Sequence, residues 1–305
     1  MGLRSFAKDY PASVASGSLR GLIACLSKDG EDVDTVKIIL EVLNFLFHPN
    51  ENSAEASEEV TLFLADEFTT RQDNITLLLD FLDNTDFYLR LYSLQLLSAI
   101  LASRTERTEE CIFTAPLGIS RLVAVLDDKR DAIRNEGLAL LTYLTPSSPE
   151  LQKLVVFENA FDRIFNIIKL EGSVRHGDRV VEDCLILLAN LLRLNVSNQS
   201  SFRETGCVAK LARLLNDALN EEKEEDVAQW AQVQRNRNIY ALLAVIRLFL
   251  ITGGVGTQAN QASFWQHGVL SQVLQLAFSR STEMQIKAEV GLFKIPVTRI
   301  QMLIV

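Results

Sequence analysis

Apolar residues recur along the chain with the three- to four-residue spacing of amphipathic α-helices. A similar short phrase opens six of these runs, for example ISRL at 119–122 and FDRI at 161–164. The six runs start near residues 19, 75, 119, 161, 208 and 270. The pattern therefore predicts a chain built from internal repeats.

The spacing of the starts indicates the kind of repeat. The inner steps, from 75 to 119 to 161 to 208, are 44, 42 and 47 residues long, and armadillo and HEAT units have roughly 40 to 47 residues. A second, more apolar run follows in the units, at 36–47, 88–101, 133–144, 180–194 and 239–251. Such a run is typical of a helix packed between neighbours, so each unit is expected to hold a pair of helices.

Local signals agree with helices rather than strands. No Asn-Gly hairpin and no sustained alternation with a period of two occurs. Ser148 and Asp178 are predicted helix N-caps, and Gly206 and Gly268 are predicted to follow helix ends. We predict an all-α fold, an armadillo/HEAT-like right-handed α-solenoid of about six helical repeats. The solenoid is expected over residues 1–290, with an atypical C-terminal tail at 291–305.

The charge of the chain is concentrated in two segments. The sequence has 30 Lys and Arg against 39 Asp and Glu, a net charge of −9. Residues 50–59 and 220–226 carry −4 each, and both are predicted to be solvated loops. A chain with a pI of about 5.0 lacks the positive surface that general nucleic-acid binding needs. We therefore expect protein partners and no nucleic acid.

Cysteine spacing and hydropathy bear on the compartment. Cys25, Cys111, Cys184 and Cys207 are far apart, which is unlike a disulfide framework or a zinc knuckle and fits a reducing cytosol. The longest apolar stretch, 240–251, is well short of the roughly 20 residues that span a bilayer. The N-terminus also lacks the apolar core of a signal peptide. We expect a cytoplasmic chain that reaches membranes only through its partners.

No group of residues points to catalysis. His48, His176 and His267 are widely separated, and none has a Cys or another His at the spacing of zinc ligands. The glycines at 253–256 lack the following Lys-Ser/Thr that a phosphate-binding loop needs. The sequence therefore predicts no enzymatic activity, no cofactor and no metal.

Polar residues interrupt the apolar second runs in a regular way. One lies in the middle of each run: Asn44, Ser98, Thr142, Asn190 and Arg247. If equivalent helices line one side of the stack, these residues form a polar stripe that contacts a partner. Alternatively, they satisfy buried backbone groups between units. Trp230, in a polar stretch, is a further candidate because tryptophan is enriched at binding hot spots.

Several longer segments carry a family resemblance. These are APLGISRL at 115–122, IRNEG at 133–137, QKLVVFENAF at 152–161, and VVEDCLILLANLL at 180–192 followed by SNQ at 197–199. Together they resemble the globular head of the Uso family, the general vesicular transport factors that tether vesicles between the endoplasmic reticulum and the Golgi. Family members usually have further head repeats, a coiled coil and an acidic tail. The chain is therefore expected to be a head fragment or to come from a shortened gene model.

The resemblance implies a function beyond what the residues themselves indicate. It implies a peripheral factor of the Golgi and of transport vesicles whose head forms a homodimer. It also implies partners among Rab-type GTPases, SNAREs, and coat or golgin proteins. The alternative is an armadillo-type adaptor that binds extended peptides in nuclear transport or signalling.

Overall fold

The computed structural model describes residues 17, 19–28, 32–47, 54–219, 229–250 and 256–278. These residues form helices joined by turns, with no β-strand among them. The predicted all-α fold is confirmed. The chain divides into two compact units, Met1–Ser147 and Ser148–Val305.

Eight α-helices are described in the first unit. They are α1 (Arg20–Lys28), α2 (Val33–Phe47), α3 (Ala54–Thr70), α4 (Gln72–Asp80), α5 (Phe87–Ser103), α6 (Thr105–Thr114), α7 (Gly118–Ala124) and α8 (Asp131–Leu144). Short 3-10 turns, Phe81–Asp83 and Val125–Asp127, extend α4 and α7.

The second unit has nine α-helices among its described residues. They are α9 (Pro149–Phe157), α10 (Ala160–Leu170), α11 (Ser173–His176), α12 (Arg179–Leu192), α13 (Val196–Glu204), α14 (Cys207–Leu219), α15 (Gln229–Leu250), α16 (Thr257–Gln266) and α17 (Val269–Phe278).

The helices fall close to the predicted positions. The first helix of each predicted pair begins at Arg20, Gln72, Gly118, Ala160, Cys207 or Val269, within three residues of the start read from the sequence. The second helices are α2, α5, α8, α12 and α15, which overlap all five predicted apolar runs.

The expectation of two helices per unit is incomplete. A third helix, α3, α6, α9 or α13, precedes the predicted pair in four repeats. In α13 the apolar pattern is weak, because its buried side chains are Asn198, Gln199 and Phe202, two of which are amides. Hydrophobic periodicity alone does not mark such a helix.

One predicted loop is also wrong in part. Helix α3 begins at Ala54, so residues 54–59 of the acidic segment 50–59 are helical rather than a loop. Alanine and glutamate are good helix formers, which explains how a charged stretch continues into a helix. Residues 50–53, the acidic segment 220–226 and the tail 291–305 lie outside the described residues.

In the first unit, equivalent helices of successive repeats pack side by side, α2 on α5 and α5 on α8. Ion pairs join the repeats at their edges. Arg104 forms a two-pronged pair with Asp66, with Nε to Oδ1 at 2.7 Å. Arg90 pairs with Asp128, and both side chains are largely buried.

In the second unit, α12 packs on α15 and α14 packs on α17. A line of phenylalanine rings runs through its core. The ring of Phe202 lies 5.1 Å from that of Phe161 and 5.2 Å from that of Phe249, whose ring is 4.9 Å from that of Phe264. The four rings belong to α13, α10, α15 and α16, so one apolar core continues through the repeats of this unit.

The turn before the predicted first helix has a recurrent backbone conformation. Leu117, Asn159, Gly206 and Gly268 each precede such a helix, and all four have positive φ values between 56° and 74°. Glycine adopts this left-handed conformation at little cost, whereas for leucine the same conformation is unfavourable. The predicted roles of Gly206 and Gly268 at helix ends agree with these angles.

Candidate functional site

The second unit carries a groove between α12 and α15, with a volume of about 610 Å³. The sequence sets the start of α12. Asp178 caps α12 through its side chain, which accepts a hydrogen bond from the backbone nitrogen of Val180 at 2.9 Å, as predicted. Asn238 of α15 donates to the carbonyl oxygen of Gly177, just before that cap. The Asn238 hydrogen bond joins the α15 wall of the groove to the turn that leads into the α12 wall.

One face of each helix lines the groove. The lining side chains are Glu182, Leu185, Ile186, Ala189, Asn190 and Arg193 on one wall and Val233, Asn236, Arg237, Tyr240, Ala241 and Ala244 on the other. The three alanines leave space between the helices because their side chains are short. Ile186, Val233 and Tyr240 are exposed at its edges. The groove is thus mainly apolar and accessible, as binding sites commonly are.

Polar groups are distributed on both walls. Gln234 donates to the Glu182 carboxylate at 3.0 Å, so this acid already has a hydrogen-bond partner. Arg193 and Arg237 are exposed on opposite walls. Within the described ranges, neither arginine has a carboxylate at ion-pair distance. The groove therefore presents two cations that a ligand can neutralise.

A second depression, of about 740 Å³, adjoins the groove and shares Val233 and Arg237 with it. Trp230 lines this depression and is 76% exposed. A tryptophan with this exposure is a candidate contact residue, because tryptophan is enriched at binding hot spots. The two depressions form a continuous surface, which we call the α12–α15 groove from here on.

Acidic side chains near the N-terminal end of α12 are held by local contacts. The pKa of Asp183 lies above its usual range, mainly because the side chain is partly buried. Arg179, 3.8 Å away, lowers this pKa, whereas the carboxylates of Glu182 and Asp178 raise it. The pairing with Arg179 is long and exposed. Asp178 and Arg179 line this end of the groove, so it carries charges of both signs.

Three of the predicted contact residues lie in the first unit. Asn44 is buried and donates to the carbonyl oxygens of Leu40 and Tyr92, each at 2.9 Å, so it joins α2 to α5. This favours the alternative in which the polar residue satisfies backbone groups. Ser98 donates to Glu136 at 3.3 Å, and Thr142 donates to a carbonyl of its own helix at 2.8 Å.

The other three lie in the second unit, where two of them meet at the groove. Asn190 lines its centre, and Trp230 lies at one end. Arg247 is half-buried on α15 and does not line either depression. Partner binding by these residues, and by the three of the first unit, stays a prediction.

Sequence reasoning missed the two arginines and the apolar edge of the groove. A signal was present, because Trp230, Val233, Arg237 and Tyr240 follow one another at steps of three or four residues, which places them on one helix face. The segment around them is rich in Gln, Asn and Arg, so the hydrophobic pattern of this face is not readily apparent from the sequence.

The described part of the chain has neither a metal-binding cluster nor a membrane-spanning helix. Among the residues that the structure covers, no group of three or more His, Cys, Asp or Glu side chains converges on a position where a metal ion could bind. Nor does any helix in those ranges combine the length and hydrophobicity required to cross a membrane. The absence of enzymatic activity stays a prediction.

Comparison with known proteins decides the family. No protein-family model matches the chain. Intracellular protein transport protein USO1 of Saccharomyces cerevisiae is 36% identical over 306 residues, covering 91% of this chain and 17% of the yeast protein. General vesicular transport factor p115 of Homo sapiens is 33% identical over 295 residues, covering 94% of this chain and 30% of the human protein. This chain belongs to the Uso1 and p115 family of vesicular transport factors.

Solved structures agree with the family and the fold. The crystal structure of Uso1-2 superposes with a TM-score of 0.86 and 34% identity, covering 96% of this chain and 46% of that chain. A designed armadillo repeat protein matches with a TM-score of 0.64 at 13% identity, over 90% of this chain and 96% of the designed one, which shows the fold alone. The predicted armadillo-like α-solenoid is confirmed. The chain spans less than a third of the length of USO1 and of p115.

Proposed function

We propose that this member of the Uso1 and p115 family is the head region of a vesicle tether in transport from the endoplasmic reticulum to the Golgi and within the Golgi. In this proposal it is a scaffold without enzymatic activity. It recruits a Rab-type GTPase, a coat or golgin protein, or SNARE machinery, and reaches the Golgi and transport vesicles through these partners.

The observation that carries the proposal is the similarity to the yeast transport protein over 91% of the chain. The surface of the second unit supports it. The α12–α15 groove presents exposed Trp230, Val233 and Tyr240 beside Arg193 and Arg237, which have no ion-pair partner among the described residues. Aromatic and arginine side chains are the residue types that contribute most to protein interfaces.

Proximity labelling in cells tests the proposal. A biotin ligase fused to the chain is expected to label proteins of Golgi membranes and transport vesicles above the level of the ligase alone. Labelling confined to other compartments, or no enrichment, would contradict the assignment. The proposed homodimer is tested separately by size-exclusion chromatography with light scattering, where a mass of twice 34.1 kDa is expected.

The alternative, a peptide-binding adaptor of nuclear transport or signalling, has one observation in its favour. A groove between equivalent helices is large enough for several side chains of a peptide. Basic localisation peptides require carboxylates, however, whereas Arg193 and Arg237 make this groove positive. In a pull-down with a basic localisation peptide we expect no binding.

A further inference from the structure

The α12–α15 groove has an unbalanced charge. Arg193 lies at the C-terminal end of α12, and Arg237 lies on the opposite wall, on α15, with no ion-pair partner for either in the described part of the chain. Two carboxylates line the same groove: Glu182 accepts a hydrogen bond from Gln234, and Asp178 caps α12. This positive spot occurs on a chain whose net charge is −9. Complementary potentials favour an acidic ligand here and disfavour a basic one.

The apolar part of the groove indicates that charge alone does not define the ligand. Ile186, Val233 and Tyr240 are between 38% and 49% exposed, and they border a floor of small side chains. A bulky apolar side chain from a ligand, placed over that floor, would bury the exposed surface of these three side chains. Burying this surface favours binding by roughly 25 cal/mol per Å² before the costs of association.

Amide groups complete the surface. Asn190 and Asn236 line the groove on opposite walls, and an asparagine amide can both donate to and accept from a peptide backbone. A backbone in extended form leaves its N–H and C=O groups available for such contacts, whereas a helix satisfies most of them internally. The amides therefore favour an extended ligand.

We propose that the α12–α15 groove binds an extended acidic segment of a partner protein, with a bulky apolar side chain over the alanine floor and carboxylates paired with Arg193 and Arg237. This inference deepens the proposed scaffold function and rests on it. It defines the chemistry of one contact without deciding which trafficking protein supplies it.

Peptide selection on the intact chain tests the inference. Random 12-residue peptides displayed on phage would be selected on the purified 305-residue protein, and binding of the enriched peptides would then be measured by fluorescence anisotropy. We expect enriched sequences with at least two acidic residues next to a large apolar residue. The same peptides with lysine in place of the acids should not bind.

Charge-reversal variants locate the contact. R193E combined with R237E should weaken binding of the enriched acidic peptides by about tenfold or more, since both charge pairs become repulsive. R213E reverses an exposed arginine on α14, outside the groove, and should leave the affinity within about twofold. Circular dichroism checks that each variant is folded, and R193Q with R237Q removes the charges should the reversed pair fail to fold.

Three results would overturn the inference: no enrichment, enrichment of basic or neutral peptides, or affinity unchanged by the groove variants. Because the selection uses peptides rather than vesicles, it can fail while Golgi proximity labelling succeeds. That combination would leave the scaffold function in place and reject the groove as its acidic-peptide site.

Discussion

The side-chain amide of Asn238 donates a hydrogen bond to the carbonyl oxygen of Gly177 across 2.8 Å. Asn238 lies on α15 and is completely buried, whereas Gly177 lies in the turn before α12. The same amide reaches the carbonyl oxygen of Val174 at 3.4 Å, and its oxygen accepts from Gln234. One side chain thus fixes α15 against the turn that leads into the opposite wall of the groove.

Removing this amide should destabilise the protein. We expect Asn238→Ala to lower the free energy of unfolding by about 1 to 3 kcal/mol, because buried carbonyl groups lose their donor. Urea denaturation followed by circular dichroism measures the change. Asn236→Ala, two residues away on the partly exposed groove wall, is the matched control and should stay within about 0.5 kcal/mol of the wild type. Equal effects of the two substitutions would contradict the role assigned to Asn238.

Gly137 illustrates a close approach in the first unit. A Cβ atom added there would lie 2.5 Å from a methyl carbon of Val125. We expect Gly137→Ala to destabilise by about 1 to 3 kcal/mol through overpacking, although alanine is the better helix former by about 1 kcal/mol. Thermal unfolding of Gly137→Ala, Val125→Ala and the double variant measures the coupling. The double variant should be more stable than the sum of the single effects, and simple additivity would count against the steric account.

Leu117 holds a conformation that suits glycine. Its φ is 56° and its side chain is 68% exposed. Replacing it with glycine would therefore relieve backbone strain while giving up little buried surface. We expect Leu117→Gly to raise the free energy of unfolding by about 0.5 to 1 kcal/mol, since glycine removes the left-handed penalty. Leu117→Ala keeps a Cβ atom and should give no such gain in the same denaturant titration. A loss of stability in Leu117→Gly would show that the exposed leucine makes a contact that outweighs the strain.

The ion pair between Asp66 and Arg104 should make stability depend on pH. The hydrogen bonds from Arg104 hold the pKa of Asp66 below its usual range, partial burial opposes them, and the charge of Arg107 also lowers the pKa. A lowered folded-state pKa contributes stability above the unfolded value of about 3.9, which is lost as the pH falls through the folded value. Asp66→Asn should therefore cost up to about 1 kcal/mol at pH 7 because the pair is solvent-screened.

The difference between Asp66→Asn and the wild type should shrink when the pH falls below about 4. Thermal melts at pH 7 and pH 3 measure it. Glu110→Gln, an exposed change in the middle of α6 without an ion pair in the described ranges, is the control and should show no comparable cost at pH 7. A cost that stays constant across this pH range would exclude the charge interaction.

Much of the fold could be predicted because two helices of each repeat bury a broad apolar face. Side-chain capping at Ser148 and Asp178 was also visible from residue type alone. Among the preceding helices, α13 was missed because two of its three buried positions carry amide side chains. Asn195 shows why, since it donates to Gln152 at 3.0 Å and so makes an interior contact through amides rather than through apolar area.

The candidate site was predicted only in part. Asn190 and Trp230 were identified from their positions in the helices, and the structure places both along the groove. Arg193 and Arg237 are far apart in sequence, so only the packing of α12 against α15 brings them to the same groove. A polar side chain in an apolar run can also point inward, as Asn44 does, and sequence alone does not distinguish the two orientations.

Capture of transport vesicles tests the central claim most directly. The 305-residue protein, coupled to beads, would be mixed with vesicles budded from endoplasmic reticulum membranes, and retained vesicles would be counted by a fluorescent cargo. The proposed protein-binding head should retain vesicles well above albumin-coated beads, and protease treatment of the vesicles beforehand should abolish retention. Retention at the albumin level, or retention that survives the protease, would contradict recruitment through protein partners.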